Sequence, residues 1–268
     1  MSAEPKVSVA AAIRAVLLAV TFAAKIRLAR KVARDWRLGR LDHVFDVAMP
    51  LSPARPAEPV LMAPSAMPRR GKGSEHGRIA LIHAIAHIEY SAIDLAFDIA
   101  GRFGAQFPKA FVDDWLAVGA DEAMHFALLD RRLRTLGSRY GPLPAHDGLW
   151  EAAADTAHDP LARLAIVPMV LEARGLDVTP AMQARFAQMG DHTTARILGR
   201  ILSDEIRHVG AGTKWFRFGC DQRRISSTAT WQGLVGTHFH GRIKPPFNDS
   251  ARDAAGLTRE YYGALASN

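Results

Sequence analysis

Six residues of this chain have the types and spacing for metal chemistry. Glu89 is followed by Glu122 and His125, and Glu172 by Glu205 and His208. In both sets the two glutamates lie 33 residues apart and the His follows its Glu by three. Side chains three apart on a helix share a face, with Cβ atoms roughly 5–6 Å apart, so each Glu-x-x-His can grip one cation. A carboxylate-bridged two-metal site in a four-helix bundle needs one Glu from each of two helices and Glu-x-x-His from each of the other two. Oxygen-rich donors with one imidazole per metal favour iron or manganese over zinc. The expected cofactor is a pair of iron ions, with iron/manganese or manganese/manganese pairs as alternatives.

One Glu-x-x-His is commonplace on a solvated helix face; the duplication carries the reading. Glu89, Ile93, Asp94 and Leu95 correspond to Glu172, Leu176, Asp177 and Val178, and Asp121-Glu122 and His125 to Asp204-Glu205 and His208, all at one offset of 83 residues. An internal repeat of one supersecondary unit organises a fold. Here the unit is a helical hairpin, since 33 residues suit an outward helix, a turn and a return helix. Asp121 and Asp204 are expected behind the ligands, because a ligating His commonly donates its other N–H to a carboxylate. A crossed pattern is expected, Asp121 to His208 and Asp204 to His125.

The elements that must position these residues follow from the chain's punctuation. The chain reads as all-α, with no segment resembling a β-strand. Residues 1–48 form a basic amphipathic segment with one helix over 7–38, and 49–73 a strap. Prolines 50, 53, 56, 59, 64 and 68 deny the strap regular structure. Its end, Arg69-Arg70-Gly71-Lys72-Gly73, is basic and glycine-rich. Residues 74–218 hold the bundle. Helix one runs 75–103 behind a Ser74 cap, and helix two from Pro108 to before Gly137. A short helix near 149–157 follows. Helix three runs from Asp159-Pro160 to about Arg174, and helix four from 191–192 to about Phe218. Pro168, four residues before Glu172, is expected to kink helix three and re-aim that carboxylate. Residues 219–268 form a wrapping extension of short helices and loop to which no chemistry is assigned.

His87 points roughly 200° around the helix from Glu89, so packing is expected of it, not ligation. Tyr90 diverges from Glu89 by about 100° and is not expected to serve the metals.

Composition narrows the classes. Cys220 is the only cysteine, which excludes an internal disulfide and a Cys-x-x-Cys iron site. It fits a cytoplasmic setting. The net charge of +7 sits at one end: residues 1–72 carry 13 Lys/Arg against 5 Asp/Glu, and the remainder is nearly balanced. A solvated basic helix accounts for this; nucleic acid or an acidic surface is the sharper alternative. The apolar run 15–24 is too short to span a bilayer, so no stable membrane insertion is expected.

The segments His83-Ala84-Ile85-Ala86-His87-Ile88-Glu89, Asp121 to His125, Leu171 to Asp177 and Asp204 to His208 resemble an uncharacterised bacterial family of the ferritin-like superfamily. The likeness extends through the strap, Pro144 to Trp150 and Pro245-Pro246-Phe247-Asn248. More distantly the arrangement is similar to tRNA-modifying monooxygenases that hydroxylate an isopentenyl adenosine side chain. The resemblance implies a dinuclear iron or iron/manganese centre; the substrate does not follow from the fold. The expected function is an O₂-activating oxidase or monooxygenase on an apolar or partly apolar substrate. The alternatives are ferritin-like metal binding with ferroxidase action, or a structural bundle. Expected partners are a separate electron-donor reductase, since no flavin, nicotinamide or iron–sulfur motif is visible, a small-molecule or nucleoside-type substrate, and a second copy in a homodimer.

Overall fold

The computed structural model describes residues 6–68 and 74–266. The chain divides into two compact units, Met1–Trp150 and Glu151–Asn268. Each combines one long helical hairpin with the extension at its own end of the sequence.

In the first unit, two-residue strands β1 (Val7–Ser8) and β2 (Leu41–Asp42) pair in parallel, a small departure from the expectation of no strand. The expected single N-terminal helix is two helices, α1 (Val9–Leu17) and α2 (Phe22–Arg37). Thr21 explains the break: its hydroxyl accepts from the Ala24 N–H and starts α2 afresh. Ser8 caps α1 in the same way through Ala11. Arg27, Arg30, Lys31, Arg34 and Arg37 of α2 are exposed, as a solvated basic face predicts, but Lys25 is fully buried. The strap is irregular apart from a short 3₁₀ turn at Pro64–Ala66. It is pinned by Met62 N–H to the Ala145 carbonyl (2.8 Å) and Ala145 N–H to the Val60 carbonyl (3.0 Å). Its basic end, Arg69 to Gly73, lies outside the described residues.

The hairpin of this unit is α3 (Glu75–Phe103) and α4 (Lys109–Thr135). Ser74 caps α3 through the Gly77 N–H at 3.0 Å. From Ile82 onward α3 is buried on nearly every face, because it is enclosed by α4, by α1 and by the loop before α5. This helix, with the turn that follows to Gln106, is long and apolar enough to cross a membrane by composition, yet most of its apolar window is buried inside the protein. That is how a core helix reads. At Gly119 a Cβ would lie 2.5 Å from the Phe97 ring, so the two helices approach closely one turn before Glu122.

Helix α5 (Gly148–Asp155) leads into the second unit. Its hairpin starts with α6 (Pro160–Ile166), capped by Asp159, continues through a π-helical segment (Val167–Glu172) and ends as α7 (Ala173–Gln188). The expected stop near Arg174 is overturned: the helix runs on to Gln188, even through Pro180. Pro168 produces a widened turn where a kink was expected. Proline lacks the N–H that an α-turn needs, and a π-turn, an irregularity frequent at functional sites, accommodates the loss. The return helix is α8 (His192–Arg223), capped by Asp191 through the Thr194 N–H at 3.0 Å. It extends past the expected end near Phe218. Gly212 of α8 lies against the Pro168 ring, where a Cβ would sit 2.5 Å from it. The C-terminal extension forms α9 (Ser227–His238), α10 (Asp249–Ala254) and α11 (Arg259–Tyr262). It follows the expected pattern of short helices and loop.

Candidate metal centre

In the first hairpin the antiparallel register brings Glu89 of α3 level with His125 of α4. His125 Nδ1 stands 3.1 Å from Glu89 Oε2 and 3.5 Å from Glu122 Oε2. One ligand atom from each of Glu89, Glu122 and His125 lies within 4.8 Å of the others, and all three residues are buried. Such a group could hold a metal ion. Burying two carboxylates costs far more than it returns unless positive charge is supplied. Burial by itself would lower the pKa of His125, but hydrogen bonds and charge from Glu122 and Glu89 outweigh it and lift the group to about 11. In the metal-free protein the imidazolium therefore supplies the missing positive charge. A cation would take over that duty and displace the proton.

In the second hairpin Pro168 faces Gly212 and Gln183 faces Gly199, a register that sets Glu172 level with His208. His208 Nδ1 is 3.5 Å from Glu205 Oε1, the same distance and helical spacing as His125 and Glu122. Glu205 and His208 are buried and Glu172 is half-buried. Glu172 is the last residue of the π segment, so the widened turn acts directly on its aim. Each hairpin thus repeats the placement of Glu opposite Glu-x-x-His that the duplicated spacing predicts.

The aspartates before Glu122 and Glu205 differ from each other. Asp121 is half-buried. Asp204 is buried, and its oxygens accept from Arg200 Nε and Arg207 Nη2 of its own helix, each at 2.5 Å.

His87 packs away from the ligands, as its angle predicts. Its Nε2–H donates to the His146 carbonyl (3.0 Å), which fixes the tautomer, and its Nδ1 accepts from the Tyr140 hydroxyl (2.7 Å). Burial pushes His87 down to about 4, with Arg55 adding to the effect against the opposing carbonyl bond. Tyr90 sits in an aromatic cluster, its ring 5.3 Å from Phe22 and 5.2 Å from Phe126. Burial and the nearby Asp94 carboxylate raise its hydroxyl pKa. His83 Nε2 accepts the Gly141 N–H at 2.9 Å.

Sequence reasoning aligned Asp94 with Asp177 but gave them no task. Asp94, fully buried, bonds the Lys25 ammonium and faces Arg55 Nη1 at 3.5 Å. Asp177, also buried, takes a two-pronged grip from Arg252 at 2.8 and 2.7 Å. The signal was present in the repeat; the cations come from the extensions, where no pattern marks them.

The chain is similar to an uncharacterized protein of Haemophilus influenzae, 43% identical over 212 residues, which cover 77% of this chain and 74% of that protein. No solved structure matches the chain. Residues 19–263 match the profile of a protein family of unknown function, DUF455, and the chain belongs to that family.

Proposed function

We propose that the two hairpins close a ferritin-like four-helix bundle spanning 74–218, in which Glu89, Glu122, His125, Glu172, Glu205 and His208 hold two iron ions or an iron/manganese pair. The observation that carries this is the buried Glu89–Glu122–His125 group, repeated in sequence and register by Glu172, Glu205 and His208. Its donor set, oxygen-rich with one imidazole per metal, fits these metals. A bound pair of ferrous ions would supply reduction of O₂ and oxidation of an organic substrate. The protein's own part would be to neutralise the cations with four carboxylates, to keep them out of bulk water, and to hold each imidazole beside its Glu. Asp121 and Asp204 orient the imidazoles of the opposite hairpin in this reading. The function is that of an oxidase or monooxygenase on an apolar or partly apolar small molecule, nucleoside-type included. It works in the cytoplasm with a separate reductase.

The test is anaerobic Fe(II) titration followed by O₂ exposure, read by absorption and Mössbauer spectroscopy. Two irons per chain, oxidised together, are expected, with loss of the coupled centre in Glu122→Ala and Glu205→Ala. Iron oxidised without any coupled organic oxidation in the presence of reductant would favour ferroxidase action. No stoichiometric binding would refute the centre.

A further inference from the structure

The duplication covers more than the metal ligands. Five residues past each leading glutamate stands a buried aspartate, Asp94 after Glu89 and Asp177 after Glu172. Five residues advance a helix by about 500°, so the aspartate points roughly 140° away from the glutamate. The glutamate looks into the hairpin and the aspartate looks out of it. In both units the aspartate meets cations from the extension at that end of the chain. Asp94 receives Lys25 of α2, which also reaches the Ala54 carbonyl at 3.3 Å, and Arg55 of the strap, which bridges on to Asp147 at 2.9 Å. Asp177 receives Arg252 of α10 and the Asn248 N–H at 3.0 Å, while Asn248 Nδ2 donates to the Leu176 carbonyl at 3.1 Å. The Arg252 guanidinium lies over the Tyr262 ring at 4.4 Å, and Arg174 holds the Lys244 and Pro246 carbonyls at 2.9 and 3.0 Å. Different residues from unrelated segments serve one repeated position.

We propose that Asp94 and Asp177 are positioning residues, whose clasps onto the N- and C-terminal extensions fix the rotation of the Glu89 and Glu172 helices and so aim those two carboxylates at the metals. This rests on the metal reading above. A side-chain carboxylate lies about 6 Å from its helix axis, so a 10° rotation displaces it by about 1 Å. Metal constellations tolerate only about 0.5 Å. An ionic clasp on the back of the helix, roughly opposite the ligand, resists that rotation. The long extensions are therefore part of the centre's construction.

The experiment uses the full-length chain, anaerobic Co(II) as probe, and the variants Asp177→Asn and Asp94→Asn, with Arg252→Lys as the conservative partner. Circular dichroism establishes that each variant is folded at the working temperature. Hydrogen exchange over 249–262 reports release of the C-terminal clasp. In folded Asp177→Asn, faster exchange over 249–262, at least tenfold weaker binding of one of two Co(II) ions and a changed ligand-field spectrum are expected. Arg252→Lys, which keeps a cation beside Asp177, should retain most of the wild-type affinity. Asp94→Asn should weaken the other ion. Wild-type affinity and spectrum in a folded Asp177→Asn whose extension has been released would overturn the proposal and leave the aspartate a stability device. If the wild-type chain binds no Co(II), the metal reading fails and this inference with it. If the wild type binds two ions and the variants bind them equally well, only this inference fails.

Discussion

Acidification should unlock the first unit through a single imidazole. His87 is buried on α3, two residues before Glu89, with its Nδ1 on the Tyr140 hydroxyl and its Nε2–H on the His146 carbonyl. Its pKa falls from the ordinary 6.5 to about 4 because burial penalises the charged ring. The unfolded chain therefore takes the proton first as pH falls. The stability held by the neutral ring is complete above about pH 6.5 and is lost progressively toward about pH 4. At about 1.4 kcal/mol per tenfold change in proton affinity, a fall from 6.5 to about 4 makes the full loss about 3 kcal/mol. That is a large share of the 5–15 kcal/mol typical of a domain. Urea denaturation of the metal-free protein and of His87→Gln, from about pH 7 to about pH 4, isolates the effect, since the carboxylates titrate equally in both. The glutamine amide can keep both hydrogen bonds but cannot titrate. The wild type should lose about 3 kcal/mol relative to the variant over this range, mostly between about pH 6 and about pH 4. Stability curves that stay parallel would refute the assignment of His87 as a buried neutral ring.

Gly119→Ala must push the Phe97 ring and Gly212→Ala the Pro168 ring; each should lower stability by about 1–3 kcal/mol, measured by denaturant titration. The stiffer Pro168 neighbour should make Gly212→Ala the worse of the two. Lys25→Met leaves Asp94 buried beside Arg55 alone and should cost about 3–5 kcal/mol. The double variant Lys25→Met/Asp94→Leu should recover much of that in thermal denaturation, since a buried pair is costlier to break than to replace. Metal binding should release protons at every pH below about 11 at which the metal still binds, because His125 is protonated in the metal-free site. Calorimetry of Co(II) binding in buffers of different ionisation enthalpy would detect this, and zero proton release at about pH 8 would contradict it.

The Glu/His pattern was legible because residue type and helical spacing are repeated together along the chain. Glu89, Glu122 and His125 could be picked out as a group before any coordinates, and the start of α3 was marked by its Ser74 cap. The path of helix three was misread. Pro168 and Gly175 look like punctuation, yet packing against Gly212 holds a π-turn in place and the helix continues to Gln188. The break between α1 and α2 rests on one threonine hydroxyl in an otherwise apolar run, too weak a local signal to overrule the surrounding periodicity.

By itself the sequence determined which side chains share a helix face and which pattern is repeated, since both depend only on spacing along the chain. Tertiary structure alone decided the charge pairing. Lys25 and Asp94 lie 69 residues apart, and Arg252 and Asp177 lie 75 apart. No local pattern marks such partners; burial, which makes an unpaired charge intolerable, selects them only once the chain has folded.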